Sequence, residues 1–247
     1  MSNRARFVDR PLTVGGTTAD AWRDALQAAP EADLTGCDKI VVVAAHPDDE
    51  TFGFGASAAM LARRGVRVRV VAVSDGSASH PNLSPAERDS LARTRRTEIG
   101  SATRILGVGK PIWLGLPDGA VSDHEDRLAD LLSDVLADGA WCAANWRGDG
   151  HPDHEAVGRA AAVATARTGT VLLEYPVWMW HWASPGDAAV PWDRLFAMPV
   201  ADNAVETKAA AAQCYRSQLE PPSADSYPVL APFVVERLLS VKEVVFR

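Results

Sequence analysis

The chain has 247 residues but only three cysteines, Cys37, Cys142 and Cys214, far apart and odd in number. They make no C-x-x-C pair, so neither a disulfide framework nor a cysteine metal cluster is expected, and a reducing compartment is the simpler setting. Basic charge is in deficit: 25 Lys and Arg against 32 Asp and Glu leave a net −7. The resulting pI near 5.4 argues against nucleic acid or an anionic membrane as the partner. No apolar run approaches the length of a membrane span. Residues 1–11 are polar and carry several arginines, without the apolar core of a signal peptide, so a cytoplasmic protein is expected. Glycine (18) and proline (16) show no repeat, which excludes fibrous and linker-dominated chains. Hydrophobic residues at 47% and charged residues at 23% exclude a disordered one.

What is present alternates. Residues 39–45 (KIVVVAA) are β-branched and nearly all apolar, as a strand buried on both faces should be. Further strands are expected at 66–73, 111–114, 140–144, 171–175 and 195–198, with a last edge strand at 241–246. Helices lie between them. Ser84-Pro85-Ala86-Glu87 reads as a capping box with proline at the first helical position, opening a helix that Gly107 stops. Ser122-Asp123-His124-Glu125 reads as a second capping box, with its helix ending near Asp138-Gly139. Residues 204–219 read as one late helix, and 18–29 as an N-terminal helix outside the alternation. The order predicts a single three-layer α/β/α domain with a mainly parallel, Rossmann-like sheet. Within it, residues 1–36 form an N-terminal extension, 37–220 the core and 221–247 a C-terminal segment.

Two segments carry the chemistry. Ala45-His46-Pro47-Asp48-Asp49-Glu50 follows the best strand and precedes a helix. One Asp would suffice to cap that helix; crowded carboxylates beside a histidine instead suit a cation. His151-Pro152-Asp153-His154 follows the strand at 140–144 and opens the next helix, so it should reach the same sheet edge. Neutral imidazoles plus a carboxylate are ordinary zinc chemistry, with one position left open for water. A lone H-x-x-H is weak evidence, but paired with an Asp-rich loop at a matching strand end it is specific.

The pair AHPDDE and HPDH resembles the PIG-L/LmbE-like family of zinc-dependent N-acetylglucosaminyl deacetylases. Ser74-Asp75-Gly76, Arg95-Arg96-Thr97-Glu98, Leu116-Pro117-Asp118-Gly119 and Arg216-Ser217-Gln218 agree with it over roughly residues 39–219. The resemblance implies an LmbE-like fold and a Zn2+ ion, or another divalent transition metal, held by His46, Asp49 and His154. It further implies Asp48 as catalytic base, His151 assisting the transition state and leaving group, and Arg95, Asp118 and Asp75 near the sugar. Asp153 is expected to orient a histidine from behind. The implied reaction is hydrolysis of an N-acetyl or other N-acyl group on an amino sugar or its conjugate, a small-molecule substrate. Some members carry a tyrosine two residues before the first histidine of the second motif; Asp149 stands there, and an ionised Asp cannot donate to an oxyanion.

Alternatives stay open: an amidase or esterase acting on a non-sugar acylated metabolite, or a non-catalytic sugar-binding protein of the same fold. Gly53-Phe54-Gly55-Ala56-Ser57-Ala58 imitates a dinucleotide fingerprint but lies beyond the first turn after the strand, so helix–sheet packing is expected to explain its glycines. The Trp-rich stretch from Glu174 to Trp182 suits either a pocket wall or a subunit contact in a homo-oligomer. His181 reads as structural, and His80 and His124 as surface residues.

Overall fold

A computed structural model describes residues 1–80, 82–222 and 226–247. Its elements run α1 (Asn3–Val8), α2 (Ala19–Ala25), β1 (Lys39–Ala44), α3 (Asp49–Arg63), β2 (Arg67–Ala72), α4 (Pro85–Leu106), β3 (Ile112–Trp113), α5 (Glu125–Leu136) and β4 (Trp141–Asn145). There follow α6 (Pro152–Thr168), β5 (Leu172–Tyr175), α7 (Met179–Trp182), β6 (Leu195–Ala197), α8 (Asp202–Ala212), α9 (Arg216–Leu219), α10 (Pro232–Ser240) and β7 (Val244–Phe246).

The seven strands are ordered β3-β2-β1-β4-β5-β7-β6, the first five parallel. The pleat of β1 divides the core. Ile40 and Val42 face one layer with Ile99 and Leu106 of α4 and the small residues of α3. Val41 and Val43 face the other, with Leu128, Leu132 and Leu136 of α5 and Val157 and Ala161 of α6. This is the three-layer α/β/α arrangement that a strand apolar on both faces requires. Gly53 serves packing: a Cβ there would fall 2.3 Å from the Tyr175 ring.

The Ser84 capping box forms as read, with Gly107 left-handed at the helix end. Three expectations change. The Ser122 box does not form: residues 121–124 make a 3-10 turn, and α5 starts at Glu125 without a side-chain cap. The late helix is two, broken between Ala212 and Arg216, where Tyr215 turns inward and is fully buried. β7 is no edge strand. It lies between β5 and β6, antiparallel to both. The N-terminal segment packs on the domain, with Trp22 fully buried and its Nε1 donating to Trp180 O at 2.9 Å. Among the described residues no helix is long and apolar enough to cross a membrane.

Candidate active site

From β1 the chain moves outward through β2 and β3, whereas β4 lies on the other flank of β1 and leads to β5. Such a reversal opens a crevice beyond the carboxyl ends of the two central strands. Both motifs begin there. Asn145, the last residue of β4, accepts a hydrogen bond from Ala45 N at 2.9 Å and ties the two strand ends together.

Three donor atoms converge at that point. His46 Nδ1 lies 3.2 Å from His154 Nε2. Asp49 Oδ2 lies 3.5 Å from the first and 3.3 Å from the second. Ligands about 2.0–2.1 Å from a tetrahedral ion stand about 3.3–3.4 Å apart, so the triangle has the size of one face of a zinc-like coordination shell. Donor sets on His46, His151 and His154 and on His46, Asp118 and Asp153 also lie within cation reach. All three carboxylates are also engaged by backbone: Gly119 N and Val121 N donate to Asp153, Ala78 N to Asp118, and His46 N to Asp49 Oδ2.

The far nitrogen of each histidine is held by a carboxylate. His46 Nε2 sits 3.1 Å from Asp118 Oδ1 and 3.2 Å from Asp153 Oδ2. His154 Nδ1 sits 2.7 Å from Asp149 Oδ2. A proton on those nitrogens leaves Nδ1 of His46 and Nε2 of His154 as lone-pair donors facing Asp49. Without a cation, burial pushes the His46 imidazolium down, but hydrogen bonds to Asp118, Asp153 and Asp49 overcome this and hold it well above the usual histidine range. Burial would likewise raise Asp49, yet the charge of His154 and the bond from His46 hold it below the carboxylate range.

Asp48 has a different environment. Its φ of 141° is unusual for a residue with a side chain, a strain that surrounding contacts must sustain. Glu50 accepts from Asp48 N at 3.1 Å and is itself held by Thr51 and by the buried Tyr215 hydroxyl. Arg95, 2% exposed, donates to Asp48 Oδ2 at 3.0 Å, Pro47 O at 2.6 Å and Gly76 O at 2.8 Å. Burial, opposed by Arg95 and reinforced by Asp49, pushes the Asp48 carboxyl up to about 7.

His151 caps α6 by accepting from Asp153 N through Nδ1 at 3.3 Å. Burial and the neighbouring His154 and His46 hold it well below the usual histidine range. Because Nδ1 accepts that bond, the proton of a neutral His151 ring sits on Nε2.

These groups line a cavity of about 320 Å³ that includes His46, Asp48, Asp49, Arg95, Asp118 and His151. Asp75 is not among its lining residues; its carboxylate accepts from Ser77 N and closes a local turn. Arg95 reaches the cavity, but its hydrogen bonds go to Asp48 and to backbone rather than outward. Asp149, an anomaly in sequence, is fully buried and supports His154 while accepting from Val177, Trp178 and Met179 N–H groups. Its flanking glycines were the available signal: a Cβ on Gly150, whose φ is 92°, would fall 2.9 Å from Trp182 Nε1. Glu50 was in the quoted motif without a role. Glu174 pairs with Arg147 outside the cavity. His181 is structural as read, bonded to Arg10 O, whereas His80 is buried rather than at the surface.

The chain is similar to several known proteins. A 1D-myo-inositol 2-acetamido-2-deoxy-alpha-D-glucopyranoside deacetylase of Kineococcus radiotolerans is 28% identical over 190 residues, 62% of this chain and 53% of its own length. The chain thus spans about half of that relative. A protein of the same description from Mycobacterium sp. (strain KMS) is 27% identical over 231 residues, covering 73% of this chain and 74% of its own. The structure of N,N'-diacetylchitobiose deacetylase from Pyrococcus horikoshii superposes with a TM-score of 0.61 at 21% identity, over 81% of this chain and 78% of that one. At that identity it speaks for the fold, a three-layer α/β/α sandwich of LmbE-like type. The profile of the family described as PIG-L: GlcNAc-PI de-N-acetylase matches residues 41–165, just over half the chain and the whole stretch that carries both motifs. The chain belongs to the PIG-L family of deacetylases.

Proposed function

We propose that this protein is a zinc-dependent hydrolase that removes an N-acetyl or other N-acyl group from an amino sugar or its conjugate. The observation that carries the reading is the His46–Asp49–His154 donor triangle beside the Asp48 carboxyl, inside one cavity at the switch point of the sheet. The names of the Kineococcus and Mycobacterium relatives support the substrate class. Two imidazoles and one carboxylate, each pinned from behind, suit zinc among divalent ions. Bound there, the ion would supply Lewis acidity to the amide carbonyl and to the attacking water.

The chain's own groups handle the protons. Asp48 takes one from the water as its oxygen bonds to the acyl carbon, and returns it to the nitrogen as the C–N bond breaks. The products are a carboxylic acid, which gives its remaining proton to solvent, and a free amine. Burial pushes that carboxyl up to about 7 in the metal-free protein, towards the range in which a general base works best. Arg95 aims that carboxyl. His151, whose Nδ1 is engaged by Asp153 N, offers a hydrogen bond from Nε2 to charge developing on the carbonyl oxygen, and Asp149 and Asp153 keep the ligand imidazoles in the tautomer that binds metal. Asp118 supports His46 and is the remaining candidate for a contact to a sugar hydroxyl.

Amine release from a panel of N-acetylglucosaminides by zinc-loaded protein, with Asp48→Asn beside it, tests the reading. Release by the wild type and its loss in a variant that still binds zinc is expected. Zinc-loaded protein that releases amine from no member of a panel varied in acyl chain and aglycone would overturn it.

A further inference from the structure

The cavity lining is of two kinds. Alongside the ionisable cluster stand apolar side chains from four separated parts of the chain. Phe7 and Leu12 come from the N-terminal segment, Phe52 from α3, Val177 and Trp178 from the turn after β5, and Leu230 from before α10. Phe7 joins the two kinds: its ring centroid is 5.4 Å from that of Trp178 and 6.1 Å from that of His151.

The N-terminal part of this wall is fixed in place. Asn3 Nδ2 donates to Gly148 O at 2.8 Å, and Arg6 pairs with Asp187 at 2.5 Å. His181 Nε2 lies 3.0 Å from Arg10 O, and the buried Arg237 holds Gly15 O. Phe7 and Leu12 are nonetheless only half-buried, and they stand beside charged groups. They also lie outside residues 41–165, the stretch matched by the family profile. A sugar ring and its hydroxyls need the polar lining. They do not account for Phe7 and Leu12, left half-exposed at the cavity beside Phe52, Val177, Trp178 and Leu230, which the core itself covers, and apolar surface left facing water there is unfavourable until an apolar group covers it.

We propose that the substrate carries a short apolar group, a chain of a few carbons or one aromatic ring, which packs on the wall formed by Phe7 and Leu12 with Trp178, Val177, Phe52 and Leu230. This rests on the hydrolase reading for the identity of the cavity as the substrate site. The length limit follows from the cavity, whose volume of about 320 Å³ is at the small end for a ligand site. The apolar group belongs either to the acyl chain or to the aglycone, and the two are separated by the choice of ligand.

Calorimetric titration of zinc-loaded Asp48→Asn protein, in which turnover is suppressed, tests the wall directly. The ligands are methyl N-acetylglucosaminide, its hexyl glycoside, and methyl N-hexanoylglucosaminide. Each buried methylene strengthens binding about fourfold. One of the two alkyl ligands should therefore bind at least tenfold more tightly than the methyl reference, and which one does so tells aglycone from acyl chain. Adding Phe7→Ala and Leu12→Ala should remove most of that gain, while Phe7→Leu keeps it. Equal affinities for all three ligands, or a gain that survives the double substitution, would overturn the proposal. Amine release by the wild-type enzyme is read separately: tight alkyl binding without release leaves the wall standing and sinks the hydrolase reading.

Discussion

The Asp149 carboxylate stands 2.7 Å from His154 Nδ1 and also accepts the backbone N–H groups of Val177, Trp178 and Met179. One buried acid therefore orients a candidate metal ligand and anchors the turn that walls the cavity. Asp149→Asn keeps the shape but loses the charge-assisted bond, and zinc affinity should fall about 10–100-fold. Competition with a chromogenic chelator measures it; unchanged affinity would mean that His154 needs no support from behind.

Asp48→Asn should lower kcat by about 10²–10⁴-fold while zinc content stays at the wild-type level. It should also stabilise the metal-free protein. Asp48 has a folded-state pKa of about 7, above the unfolded value, so the native state holds that proton more tightly. Stability is lost as pH rises from about 4 through 7, on the order of a few kcal/mol. Asn has no proton to lose. Metal-free Asp48→Asn is expected to melt several degrees above wild type at pH 8, with the gap closing towards pH 5.

Arg95→Gln removes a buried positive charge 3.0 Å from Asp48 Oδ2. A neighbouring cation lowers a carboxyl pKa, so its loss should raise that of Asp48 and move the acid limb of kcat/KM about 1 unit or more to higher pH. A raised KM with the limb unmoved would instead make Arg95 a substrate contact.

Two glycines should respond in opposite directions. Gly53→Ala drives a methyl into the Tyr175 ring, whose hydroxyl is tethered to Val43 O at 2.7 Å, so the ring cannot swing away. A loss of about 1–3 kcal/mol is expected. Gly100, inside α4, has open space where a Cβ would go, and Gly100→Ala should gain about 0.5–1 kcal/mol. Urea midpoints of the two variants decide.

Glu243, just before β7, accepts from Ala56 N, Ser57 N and Ser57 Oγ of α3 and pairs with the buried Lys208 at 2.9 Å. Glu243→Ala strands the ammonium and should cost about 3–5 kcal/mol. Removing both charges, Glu243→Met with Lys208→Met, should cost much less. Equal losses would show that the helix N–H contacts dominate.

The sequence was most legible where local pattern and tertiary environment agree. The run at 39–45 demanded a doubly covered strand, and the Ser84 box and Gly107 delimit α4. The two His- and Asp-rich motifs stood out because charge is costly at a strand end, and the fold brings both to one cavity. Roles that depend on what faces a residue across the fold were hidden. Arg95 in sequence is a cation on a helix; only folding sets it on Asp48, 47 positions away. Asp149 read as a defect because its partners at 177–179 lie past a helix and a strand. The Ser122 box obeyed the local rule and still failed, since Val121 N is drawn to Asp153, at 3.1 Å, to support His46. β7 was misplaced because a short apolar run states its tendency to pair but not its partners.

His46 and His154 are 108 residues apart in the chain and 3.2 Å apart in the fold. A cation gripping both closes that span as a reversible staple across the centre of the sheet, where loop-closure entropy is large. Occupancy should then govern how the domain breathes as well as what it catalyses. Amides at the ends of β1 and β4 should exchange with solvent more slowly on metal loading, and a starved cell would hold this protein in a looser state that proteases can find.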